Sequence, residues 1–179
     1  FLFNFSINSF IIFPINKQEF SSPVSFSSNW IPTTLREGNS KIGYPQGLNF
    51  IVAKLLIKLE GEQLVFLILD GIMTKLRLDT ILGEHNSLRT HMHIITNLLK
   101  EYEPTVYQFL EEIKMSHEVF TADWVITLFA NCTNNEQLFI IWNFLFVFGL
   151  KFLYSFIVSL IKFYKESILN MENLYFCAW

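Results

Sequence analysis

The sequence predicts an all-α protein built from short amphipathic helices. Apolar residues recur at three- and four-residue intervals from Leu48 onward, and Gly or Pro punctuates the runs at Gly61, Gly83, Pro104 and Gly149. A composition of 51% hydrophobic and 16% charged residues provides enough apolar surface to bury those faces. At 179 residues the chain is sized for one domain. Its apolarity implies either largely internal helices or contact with a membrane or a large partner surface.

The pivotal stretch is Ile42-Gly43-Tyr44-Pro45-Gln46-Gly47-Leu48-Asn49. Pro45 biases Tyr44 toward an extended conformation and suits a first helical position, which predicts a helix starting near Pro45 with Gln46 in its first turn. An amide there either caps its own helix or meets an anionic group on a partner, because unpaired N–H groups and the helix dipole favour negative charge. Leu48, Ile51, Val52, Leu55, Leu56 and Leu59 then form one face, with Lys54 and Lys58 on the other.

A second helix runs through Leu64, Val65, Leu67, Ile68 and Ile72 toward Leu76, and Gly83 to Ser87 is a polar interruption. Leu88, Met92, Ile95, Leu98 and Leu99 mark a third helix. Pro104 opens a fourth through Val106, Tyr107, Leu110 and Ile113, and the next starts around Thr121 with Trp124, Leu128 and Phe129 inward. Thr133 with Glu136 fits a capping box before Leu138–Phe148, and Gly149 separates that helix from Leu150–Leu169. Residues 138–163 are apolar for longer than the ~20 residues of a membrane span. Lys151 would sit near the middle at a cost of about 2.5–3.5 kcal/mol, which favours two helices in a packed core.

Residues 1–41 read differently. Phe1, Phe3, Phe5, Phe10 and Phe13 are interspersed with Asn and Ser, and Pro- and Ser-rich loop sequence follows. This segment is expected to be extended and to lie against the helical part or a neighbouring chain. It lacks the basic opening and cleavage pattern of a signal peptide. Residues 42–170 are expected to form the helical domain and residues 171–179 a tail.

Several chemistries are disfavoured. The net charge of -3, with 13 basic residues and no dense basic run, argues against nucleic acid. Cys132 and Cys177 are too few for a disulfide scaffold and suit a reducing compartment. His91 and His93, two apart on a helix, do not share a face for a metal. Glu111 and Glu112 are adjacent and splayed. No nucleophile elbow or phosphate-binding glycine loop occurs. The sequence therefore calls for no cofactor and no metal.

The segment Ile42 to Asn49 resembles the glutamine-finger motif of TBC domains, the all-helical GTPase-activating modules that act on Rab GTPases. Glu103-Pro104 with Tyr107 and Leu110 is similar to the family's proline-led helix. Phe120 to Phe129, with Trp124-Val125-Ile126-Thr127-Leu128-Phe129, is similar to its tryptophan helix, and Leu138 to Leu153, with Ile141-Trp142-Asn143 and Gly149, to its penultimate segment. The resemblance implies a TBC-like fold truncated on its N-terminal side, with Gln46 as the catalytic glutamine finger and Tyr44, Gly47 and Asn49 as binding residues. It also implies a protein partner, a Rab-type GTPase or a large complex, and an intracellular location on the cytoplasmic side.

Two departures set the functional expectation. The family's arginine finger lies in an Ile-x-x-Asp-x-x-Arg motif upstream of the glutamine, and residues 1–41 contain none; Arg36 has no Asp three residues before it. Asn143 stands where the family usually has an acid. An arginine finger is worth about 10³–10⁵ in rate, or about 4–7 kcal/mol of barrier. The sequence thus predicts a degenerate TBC-like domain, an interaction or structural subunit with Gln46 vestigial and no enzymatic chemistry of its own. The alternative is an active Rab GTPase activator whose arginine finger lies outside this segment.

Overall fold

The computed structural model describes residues 47–83 and 85–170, and every regular element among them is a helix. In chain order these are α1 (Leu48–Lys58), α2 (Glu62–Lys75), α3 (Leu78–Gly83), α4 (His85–Tyr102), α5 (Pro104–Glu112), α6 (Glu118–Thr127), α7 (Asn135–Phe148), α8 (Leu150–Phe163) and α9 (Lys165–Leu169). Residues 1–46, with their aromatic-rich segment, and the tail 171–179 lie outside the described residues.

Helix α4 is the central strut. It packs against α3, α5, α6 and α8, while α1 lies on α2 and α6, and α7 lies on α8. The stripes in the sequence explain this arrangement. Met92, Ile95 and Leu99 of α4 are buried, as are Leu153, Ile157, Leu160 and Ile161 of α8, each set repeating at helical spacing. One continuous core results, extending from Leu48 to Tyr164.

Helix boundaries move where a local bond competes with the pattern. Helix α1 starts at Leu48 rather than Pro45, because Gly47 adopts φ 100, a left-handed conformation that cannot belong to the helix. The helix toward Leu76 ends at Lys75, and residues 78–83 form a short helix of their own after Arg77 turns to φ 53. On α2 the buried side chains are Val65, Leu69, Ile72 and Met73, while Leu64 and Leu67 face outward.

At the start of α7 the cap is Asn134, not Thr133: its Oδ1 accepts from the Gln137 backbone N–H at 2.9 Å. Thr133 instead donates to the Phe129 carbonyl at 2.7 Å, closing the preceding loop. Gly149, at φ 68, separates α7 from α8 as expected, and a further break at Tyr164 sets off α9. Among the described residues no helix is long and apolar enough to cross a membrane.

Buried polar groups are paired. Glu103, at the junction of α4 and α5, has a nearly inaccessible carboxylate approached by Lys165 at 3.2 Å and Lys162 at 3.8 Å. His117 bridges Thr96 at 2.8 Å and Thr121 at 3.1 Å, tying α6 to α4. Burial lowers its pKa, against the raising influence of Glu118 and Glu111.

Candidate functional site

The site is the corner where α1 begins and α6 ends. Gly47 is buried there, and its carbonyl accepts from the Phe50 N–H at 3.2 Å. A Cβ at this position would lie 3.3 Å from Cγ2 of Thr127 and 3.7 Å from the Ile126 carbonyl oxygen. Glycine is thus required twice over, by the left-handed backbone and by the close approach of α6. Gln46 and Tyr44 immediately precede this point and lie outside the described residues. Asn49, in the first turn of α1, is exposed beside a helix end with no acidic residue to offset its dipole.

The wall behind Gly47 is held by an unusual backbone. Helix α6 stops because Leu128 at φ 49 and Phe129 at φ 67 both take left-handed conformations, each costing about 1–2 kcal/mol for a residue with a side chain. Both are completely buried. Two side-chain bonds hold the turn: the Trp142 indole N–H donates to the Leu128 carbonyl at 2.9 Å and the Thr133 hydroxyl donates to the Phe129 carbonyl; the Thr127 hydroxyl bonds back within α6, to the Asp123 carbonyl at 2.7 Å. Trp142 itself is buried on α7, so that helix acts as a buttress.

Lys54 joins α1 to this corner. It lies two turns along the helix, half-buried, and its ammonium donates to the Thr133 carbonyl at 3.3 Å and to Asn135 Oδ1 at 2.8 Å. The sequence places Lys54 on the polar side of α1, and there its ammonium reaches the α6–α7 loop, whereas Lys58 on the same side is exposed. Lys58 sits 5.4 Å above the Phe139 ring. On the far side of the loop Asn131 donates to Asp123 Oδ2 at 3.1 Å. The Cys132 thiol is held protonated, its pKa pushed up first by burial and then by the negative charge of Asp123.

The other residues weighed in the sequence do not converge on this corner. His91 pairs with the Tyr154 hydroxyl between α4 and α8, and burial lowers its pKa. His93 bonds Asn97 at 3.1 Å on the exposed side of α4. Glu111 and Glu112 are both exposed, and so is Asn143. Among the described residues no three His, Cys, Asp or Glu side chains gather in a way that could hold a metal ion. What the corner offers is a rigid mount: the left-handed Gly47, packed against α6, fixes where α1 starts.

The comparison with protein families meets this geometry directly. The Rab-GTPase-TBC domain model matches residues 33–169, which include the whole corner and its buttress. The chain belongs to the Rab-GTPase-TBC domain family. Its similarity to individual TBC proteins is moderate: 30% identity over 135 residues to Growth hormone-regulated TBC protein 1 of Xenopus laevis, covering 75% of this chain and 40% of that protein. TBC1 domain family member 2B of Mus musculus is 27% identical over 165 residues, covering 88% of this chain and 17% of the relative. TBC1 domain family member 1 of Homo sapiens is 29% identical over 141 residues, covering 76% and 12%. The TBC chain described here therefore spans about two-fifths or less of the length of these relatives.

Lys54 and Trp142 hold this corner through bonds that the sequence did not reveal, although Trp142 was already part of the family resemblance. A Lys at the edge of an apolar stripe looks solvated, and the partner that pairs it is 81 positions away at Asn135. Trp142 reads as core, and only its indole N–H, which a buried Trp must satisfy, signals that a carbonyl waits for it.

Proposed function

We propose that this TBC chain is an interaction module that docks a Rab-type GTPase or a larger assembly through the start of α1, with little GTPase-activating activity alone. The observation that carries this reading is the Gly47 mount. A glycine in a left-handed conformation, packed against Thr127, follows Gln46 directly in the sequence, and Asn49 is exposed in the first helical turn after it. In this reading Gln46 is the glutamine finger, and Tyr44, Gly47 and Asn49 form or shape the docking surface. An amide there can orient an attacking water but supplies no positive charge to the transferring phosphoryl group. That charge is the larger part of the barrier reduction.

The arginines of the chain do not fill the role in this reading. Arg77 is engaged with the Thr80 hydroxyl at 3.0 Å, and Arg89 lies in the first turns of α4. Arg36 lacks the motif that would identify it as a finger. A second reading, an active Rab GTPase activator whose arginine comes from outside this segment, is favoured by one observation: the family match includes the glutamine motif.

The test is single-turnover GTP hydrolysis across a Rab panel at saturating chain, alongside Gln46→Ala and a binding measurement. Marginal acceleration with retained binding is expected. Strong acceleration abolished by Gln46→Ala would refute the interaction-module reading and place the charge-supplying arginine among Arg36, Arg77 and Arg89 of this chain.

A further inference from the structure

Helix α7 is apolar nearly all round. Leu138, Ile141, Trp142 and Leu145 face the core, yet Ile140, Phe144, Val147 and Phe148, which share the opposite face at helical spacing, are between 47% and 74% exposed. No charge occurs between Glu136 and Lys151. A helix hydrophobic on all sides is normally buried on all sides, and a patch of this kind is seldom left in water. The exposed rings are also ordered. Phe148 stacks with Phe144, Phe144 with Phe152 and Phe152 with Phe156, at centroid separations of 6.4, 5.6 and 5.6 Å, and Phe156 meets the buried Phe129 at 5.2 Å. The outer face is thus the end of an aromatic ladder rooted in the core.

We propose that this outward face of α7 is the seat of the chain's own residues 1–16. Three observations select that occupant. Residues 1–16 carry no charge and contain five Phe residues, Phe1, Phe3, Phe5, Phe10 and Phe13, so their chemistry matches a charge-free aromatic surface. They precede the family-matched region, which begins at residue 33, and so are not needed to build it. They are tethered at Gly47, on the corner that α7 buttresses through Trp142, and the intervening chain is long enough to reach, at up to ~3.3 Å per residue.

A second copy of the chain is the weaker occupant on grounds of area. The four side chains, about 150–200 Å2 each in full and between 47% and 74% exposed, leave roughly 400 Å2 open, so a two-fold pair would bury about 800 Å2, below the ~1,200 Å2 of a stable interface. A tethered segment needs less, because linkage places it at an effective concentration on the order of mM.

The experiment uses the intact 179-residue chain with a benzophenone-bearing phenylalanine in place of Val147, whose 74% exposure makes the change harmless to folding. Illumination is expected to give a product of monomer mass in which position 147 is joined to a peptide from residues 1–16. Replacing Phe1, Phe3, Phe5, Phe10 and Phe13 together with Ser should cut the yield severalfold, with helix content by circular dichroism unchanged. A dimer-mass product, joining to any other part of the chain, or no product would overturn the proposal. So would equal joining to residues 1–16 from a probe at Val119, an exposed position on α6.

Discussion

The turn that ends α6 at Leu128 and Phe129 and the packing of α4 on α8 both lie in the core, but they are stabilised differently. In α4 and α8 the buried residues repeat at helical spacing, backbone conformations are ordinary, and stability comes from apolar area at about 25 cal/mol per Å2. In the turn, Leu128 and Phe129 occupy costly left-handed conformations, and directed bonds from Trp142 and Thr133 hold them there. The stack needs side chains of roughly the right size, and the turn needs particular atoms in particular places.

The sharpest way to test that contrast is at Trp142. Trp142→Ala should cost about 3–5 kcal/mol in urea denaturation, and Trp142→Phe about 1–3 kcal/mol, because the Leu128 carbonyl is left unpaired in a dry site. A comparable trim in the stack, Ile95→Val, should cost only about 0.5–1.5 kcal/mol. Equal costs for Trp142→Phe and Ile95→Val would abolish the distinction between the two regions.

A smaller effect is expected at Gly47. Gly47→Ala should lose about 1–2 kcal/mol from its left-handed backbone alone, with a further loss if Thr127 cannot yield. If the mount matters for docking, the same variant should weaken GTPase binding more than an equally destabilising change in the stack. Lys54→Met keeps the stem and removes the charge-assisted bonds to Thr133 and Asn135, and should cost about 1 kcal/mol. A stabilised Lys54→Met would mean that the tether is ornamental.

The smallest expected effect is on pH dependence. Burial holds the pKa of His117 below its ordinary value of 6.5 in the folded chain. As pH falls through about 6.5 the unfolded chain takes up a proton that the folded chain resists, so stability is present above that pH and declines below it. Urea midpoints measured between pH 8 and 5 should fall toward acid, and His117→Asn should reduce the slope. A midpoint that rises on acidification would contradict the buried, neutral histidine bridging Thr96 and Thr121.

Much of this protein was legible in its residues because most of it is periodic. The apolar repeats from Leu48 to Leu59 and from Leu138 to Leu169, the Pro at the head of α5 and the Gly between α7 and α8 follow from local geometry, and local geometry is written in neighbouring residues. The family resemblance rested on the same short-range patterns; Tyr44, Pro45 and Gln46 of the site motif lie outside the described residues. Three things were decided only in three dimensions. The left-handed φ of Gly47, packed against Thr127 of α6, sets the start of α1 at Leu48. Asn134 rather than Thr133 caps α7 because the helix begins at Asn135 and Asn134 Oδ1 is the acceptor that reaches the Gln137 N–H, while Thr133 donates back to the Phe129 carbonyl. The half-buried Lys54 ammonium is held by protein because Asn135, 81 positions away, comes to meet it. In each case the outcome depends on how a loop or a remote segment folds back, and helical spacing carries no information about that.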